Sequence, residues 1–222
     1  MLSSVDGSVQ TRRWRPKLDG AAIFERLHDG MEGDAWLVGR TTGEEFARRD
    51  GEYPEYSGPP IPREDWFAID KSDAWGVVLD AHGKIAWGMS DIGGDPIVVA
   101  LTRRVPDRHL AGLRADRVSY IFAGDGELDL AAVLETLNAR LGVERLLMEG
   151  GGSANGAMLR AGLIDELHLV VCPTVDGARS SPRVFDVDGA EAEPFSIGDM
   201  TLEETKVLDG GCVLLRYRIS AF

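Results

Sequence analysis

The stretch at 146–162 constrains the fold most: LLMEGGGSANGAMLRAG carries the chain from an apolar run, through three glycines, into a helix-forming segment. Leu146, Leu147 and Met148 read as a strand, and Ala154, Ala157, Met158, Leu159 and Ala161 give Ser153 to Gly162 the small and apolar residues of a helix. At such a junction the backbone N–H groups of the helix start can face an anion. Glycine removes the Cβ that would keep another backbone or a phosphate away. Two readings fit the stretch, a ligand cradle and a tight strand-to-helix turn.

The rest of the chain alternates strands and helices, which predicts an α/β fold with a mixed, mostly parallel sheet and antiparallel strands at its C-terminal edge. Strands are expected at 35–39, 75–80, 96–101, 118–122 and 145–148, and helices at 21–29, 107–113 and 128–141. In the last of these, Leu130, Val133, Leu134, Leu137 and Leu141 recur at helical spacing. Thr42 and Glu45 match a capping box for a short helix. Residues 48–64 read as loop, because four prolines deny them a regular period. The last third, 166–171, 201–208 and 212–219, reads as strands alone, the final two joined by the hairpin-like Asp209-Gly210-Gly211. No linker interrupts the pattern, so residues 1–222 are expected to form a single domain.

Charge narrows the partners. Lys and Arg number 24 against 37 for Asp and Glu, a net charge of −13 that repels nucleic acid and anionic membranes at long range. An anionic small molecule would therefore need local positive charge. No apolar run is long enough to span a bilayer, and the N-terminal MLSSVDGSVQTRRWRP lacks a signal-peptide core, so a cytoplasmic location is expected. Cys172 and Cys212 lie in apolar runs and are expected as buried thiols. The four histidines have no metal-ligand spacing, and no metal is expected.

Two further turns are competent for phosphate. Gly39, Arg40, Thr41 and Thr42 join a strand end to a helix start, and Thr102, Arg103 and Arg104 follow the strand 96–101. Taken singly these fit surface arginines and a cap threonine. Together with the glycines they mark the C-terminal ends of strands, where open α/β sheets bind nucleotides. Neither the G-x-G-x-x-G fingerprint nor the P-loop pattern is met.

The ordered set SSVDG (3–7), VGRTTGEEFA (38–47), VVALTRR (98–104) and LLMEGGGSANGAMLRAGLIDELHLVVCPTVDG (146–177) resembles the reductase domain of riboflavin biosynthesis, in the dihydrofolate-reductase-like superfamily. The resemblance implies a mixed sheet flanked by helices, NADPH as hydride donor, and a homodimer through the C-terminal strands. It places Gly39, Arg40 and Thr42 on the cofactor, with Arg40 near the 2′-phosphate, and Thr102 and Arg103 at the adenosine end. Gly151, Gly152 and Ser153 would lie against the pyrophosphate. Glu149 would stand between nicotinamide and substrate, and Asp6 at the mouth of the same pocket, as the candidate catalytic acids. The substrate implied is a phosphoribosylamino-pyrimidine; a different heterocycle or carbonyl, or a non-catalytic NADPH-binding dimer, are the alternatives. One departure stands out. The family's DDPRLT-like residues, which help bind the ribose phosphate, are replaced by EEFARRDGEYPEY, leaving Arg63 or the group Arg12, Arg13 and Arg15 as candidates for that contact.

Overall fold

The computed structural model describes residues 1–28, 30–187 and 197–220. In chain order the elements are β1 (Leu2–Ser4), α1 (Gly20–His28), β2 (Ala35–Gly39), α2 (Arg40–Glu44), β3 (Trp75–Leu79), β4 (Asp91–Ile92) and β5 (Asp95–Leu101). Then follow α3 (Asp107–Ala115), β6 (Ser119–Phe122), α4 (Leu130–Leu141), β7 (Leu146–Gly150), α5 (Gly152–Arg160), β8 (Glu166–Cys172), β9 (Met200–Val207) and β10 (Val213–Ile219). Every strand and helix expected from the pattern is present, with ends shifted by a residue or two; Asp29, expected to end the first helix, lies outside the described residues. The chain falls into two compact units, Met1–Glu32 with Gly150–Phe222, and Gly33–Glu149.

The Gly33–Glu149 unit is built on the strand order β4-β5-β3-β2-β7, with β6 added to β5. β2, β3, β5 and β6 run parallel, with Val38 opposite Val78, Val78 opposite Val99, and Val99 opposite Tyr120. Both faces of these strands are buried: Leu37, Val77 and Val98 on one side, Val78, Ile97, Val99 and Leu101 on the other. That is why the strands read as continuous apolar runs instead of alternating ones. α4 begins where the Asp129 carboxylate accepts the Ala132 amide at 3.0 Å and ends at Gly142, whose φ of 72° suits glycine.

In the other unit the strand order is β1-β8-β10-β9. β1 is parallel to β8, whereas β10 lies between β8 and β9 and is antiparallel to both. One face holds a core of Leu2, Trp14, Ile23, Val170, Cys172, Cys212 and Leu214, with Phe24 and Leu27 of α1 packed on it. Cys172 and Cys212 are buried free thiols.

Candidate active site

In the Gly33–Glu149 unit the carboxyl ends of β2, β3 and β5 carry Gly39, Asp80 and Thr102. α2 starts directly at Arg40 with no side-chain cap. The capping box expected of Thr42 and Glu45 is therefore absent: extended Gly39 already starts the helix, so Thr42 sits inside it and Glu45 follows its last turn. Arg40 forms an ion pair with Glu44 one turn later, both half-exposed.

Thr102 is fully buried and its hydroxyl donates to the Ala81 carbonyl at 2.7 Å, leaving only its oxygen lone pairs to receive a ligand proton. Arg103 donates to the Arg63 carbonyl at 2.6 Å, stands 3.7 Å from Asp125 and lies over the Phe122 ring. Arg63 itself is committed to its own chain. It donates to the carbonyls of Ile61 at 2.6 Å and Val105 at 2.8 Å, and to the Asp107 carboxylate at 2.5 Å. A guanidinium bound on all sides in this way has little left for a phosphate.

Asp80 is a residue that sequence reasoning missed. Its Oδ2 accepts the amides of Lys84 and Ile85 at 2.7 and 2.8 Å, so it clamps the turn after β3, while the buried Oδ1 has no hydrogen-bond partner among the described residues. Burial raises its pKa, opposed by those amides and by the positive charge of Arg40. The signal was faint: an aspartate ending an apolar run, followed by Gly83, whose φ is +61°. Glu149 lies half-buried on β7, the strand beside β2.

In the other unit, Asp6 sits in the turn after β1. Its carboxylate accepts Ser4 Oγ at 2.6 Å and the amides of Gly177 and Asp176 at 2.8 and 3.1 Å. These bonds, the hydroxyl's first, lower its pKa to about 2. Asp6 therefore stays ionised near neutrality and suits charge stabilisation or hydrogen-bond acceptance better than proton donation.

The glycines have two distinct causes. Gly151 adopts φ 88° and ψ 115°, a conformation L side chains rarely take. A Cβ on Gly152 would meet the Arg183 carbonyl and the Asp186 carboxylate. α5 then begins with no capping side chain, which leaves its first-turn amides fit for an anion, with Asp186 occupying the Gly152 side. Among the described residues no group of His, Cys, Asp and Glu could hold a metal ion. No helix among them is long and apolar enough to cross a membrane.

Parallel strands buried on both faces, a second sheet closed by antiparallel C-terminal strands, flanking helices and anion-competent turns at strand ends are the features of a dihydrofolate-reductase-like α/β fold. The chain matches the RibD C-terminal domain over residues 1–215 and belongs to that family. It is 34% identical over 190 residues to 2,5-diamino-6-ribosylamino-4(3H)-pyrimidinone 5′-phosphate reductase of Methanothermobacter thermautotrophicus, covering 85% of this chain and 82% of the relative. The same-named protein of Archaeoglobus fulgidus is 34% identical over 89 residues, 40% of each chain. Among solved structures, a pyrimidine reductase-like protein of Corynebacterium diphtheriae superposes with a TM-score of 0.69 at 19% identity, over all of this chain and 90% of its own. Acinetobacter baumannii RibD gives a TM-score of 0.64 at 20% identity, over 99% of this chain and 56% of its own. The chain is an oxidoreductase by family, and that membership implies a nicotinamide cofactor.

Proposed function

We propose that this chain is a cytoplasmic, NADPH-dependent reductase of a ribosylaminopyrimidinone 5′-phosphate in riboflavin biosynthesis, acting as one reductase domain and as a homodimer. The observation that carries the reading is the 34% identity to such a reductase across 85% of the chain, together with the family match from residue 1 to 215.

The bound cofactor would supply a hydride to the electrophilic carbon of the substrate. In this reading Gly39, Arg40 and Thr42, with Thr102 and Arg103, are the ligands of the nucleotide end, and Gly151, Gly152 and Ser153 are those of the pyrophosphate. The uncapped start of α5 supports the last assignment. The buried Thr102 could only accept a hydrogen bond, and Arg103 would have to keep or exchange its contact with the Arg63 carbonyl. Glu149 would hold the substrate or pass it a proton, and the ionised Asp6 would accept a substrate N–H or O–H. The test is direct: the purified protein is mixed with NADPH and the ribosylaminopyrimidinone 5′-phosphate, and NADPH absorbance is followed. Turnover of this substrate, and none with a panel of unrelated carbonyl compounds, is the expected result. NADPH oxidation only with another heterocycle would overturn the substrate assignment.

A further inference from the structure

We propose that Arg12, Arg15, Arg179 and Arg183, on two loops stitched together beside the Asp6 turn, form the site that takes the phosphate monoester of the substrate. This rests on the functional reading above and assigns a part of the site that the family's usual residues leave empty here.

The loops are 8–17 after β1 and 173–183 after β8. Their backbones join at several points: Arg15 and Val175 exchange two hydrogen bonds of 2.9 Å, the Val9 amide donates to the Pro182 carbonyl at 3.0 Å, and Ser8 forms a bridge with Arg183. These two segments contain five arginines and Lys17 but a single carboxylate, Asp176, in a chain whose net charge is −13. Asp176 is already consumed. It accepts Arg13 Nε at 2.8 Å, Ser8 Oγ at 2.9 Å and Ser181 Oγ at 2.7 Å, and so ties the two loops together and cancels Arg13 alone. The nearby Asp6 carboxylate is likewise filled by Ser4 and two amides.

Arg12, Arg15, Arg179 and Arg183 remain exposed. Among the described residues none of them has a carboxylate within ion-pair distance; Arg15 donates only to the carbonyls of Trp14 and Arg12. Guanidinium groups with free donors match phosphate oxygens bidentately. A second observation bears on the same place. The segment after Arg183 is pinned to the start of α5, through the Asp186 amide on the Gly152 carbonyl at 3.0 Å and Asn155 Nδ2 on the Val184 carbonyl at 2.7 Å. The arginine loops thus run up to the turn assigned above to the cofactor's pyrophosphate, so the arginines border the cofactor's place while their own donors stay available to the substrate's phosphate. Arg63, the other candidate for this task, is held by Ile61, Val105 and Asp107.

Two paired variants, Arg12→Ala with Arg15→Ala and Arg179→Ala with Arg183→Ala, test the assignment in steady-state assays. Thermal unfolding is measured first, and no loss is expected because these side chains are exposed and lack ion-pair partners. The KM for the phosphorylated substrate should rise at least tenfold with kcat changed less than twofold, while the dephosphorylated substrate and NADPH keep their KM values. An unchanged KM for the phosphorylated substrate, or an equal rise for its dephosphorylated form, overturns the site. A rise confined to NADPH shows that the arginines serve the cofactor's phosphates and overturns the substrate assignment. If the wild type turns over neither substrate, the functional reading fails, and calorimetric titration with ribose 5-phosphate tests the site by itself. Loss of that binding in the fourfold variant supports the site, and equal or absent binding in wild type and variant overturns it.

Discussion

The amide of Asp186 donates to the carbonyl oxygen of Gly152 at 3.0 Å, and its carboxylate stands where a Cβ on Gly152 would be. The chain itself therefore demands one of the three glycines, whatever ligand the turn holds. Gly152→Ala must push back the Arg183 carbonyl and Asp186 together, an overpacking that costs about 1–3 kcal/mol. A lowered denaturant midpoint with unchanged slope is expected. Gly151→Val, at φ 88°, is strained as well and should lose about 1–3 kcal/mol. Ser153→Ala carries neither penalty. It should weaken cofactor binding with stability intact, and equal binding would remove Ser153 from the pyrophosphate.

Much of this was legible in the residues, and what was not has a common cause. Apolar period located α4 and the buried strands β2, β3 and β5, because burial on one or both faces writes itself directly into the pattern. The reason for Gly152 lay more than thirty residues further on, at Arg183 and Asp186, and a contact of that range leaves no local signature. Thr42 and Glu45 obeyed the capping pattern, yet Gly39 opened the helix earlier without any side chain. Arg63 read as a candidate for the ribose phosphate, and Asp80 as the last residue of a strand. Their roles come from carbonyls and amides that only folding brings into reach.

Arg40 tests the cofactor. Its present partner is Glu44, in an exposed pair of the i,i+4 type worth only about 0.3–0.5 kcal/mol. Arg40→Ala should therefore leave stability almost unchanged. If the guanidinium meets the 2′-phosphate, a charge-assisted contact of about 1.5–3 kcal/mol is lost, and NADPH binding weakens about tenfold to a hundredfold. NADH, which lacks that phosphate, should bind as before. Equal weakening of both cofactors in a fluorescence titration would count against the placement.

Asp6 makes a prediction about acid. Its carboxyl ordinarily titrates at 3.8 and is lowered to about 2 in the folded chain by Ser4 and the amides of Gly177 and Asp176. A lowered native pKa gives stability that is present above the unfolded value and lost as pH falls through the native one. The difference in unfolding midpoint between wild type and Asp6→Asn should be constant at neutral pH, shrink below about pH 4, and fade out only below about pH 2. A difference that persists unchanged at acid pH would show that the charge is not what these donors hold. The same lowered pKa means that no limb of the kcat profile between about pH 5 and 9 belongs to Asp6.

The thiols should be inert. Cys172 and Cys212 are both fully buried, one step beyond the Val171–Val213 pair of β8 and β10. Burial, then the neighbouring Cys212, pushes the Cys172 thiol up to about 12. The thiolate is the reactive form, so alkylation of the native protein at pH 8 should be slow and should reach both cysteines only in denaturant. Rapid labelling of the folded chain would mean that this face of the sheet opens readily.

The proposed dimer turns on β9. Among the described residues this strand pairs with β10 on one side only, and all eight of its residues are exposed, with Met200, Leu202 and Val207 at 40%, 51% and 73%. Beside it, Leu169 and Val171 of β8 and Val213 and Leu215 of β10 are only partly buried. The strand also carries Glu203, Glu204 and Lys206, which temper the edge, so the case for pairing rests on its exposed Met200, Leu202 and Val207. A second copy of the chain would cover it. Light scattering after size-exclusion chromatography should give twice the chain mass of 24.1 kDa. Replacing Leu202 and Val207 together by lysine should halve that value, since two buried charges per chain would face each other across the interface. A wild-type species of 24.1 kDa at micromolar concentration, still oxidising NADPH, would sink the dimer.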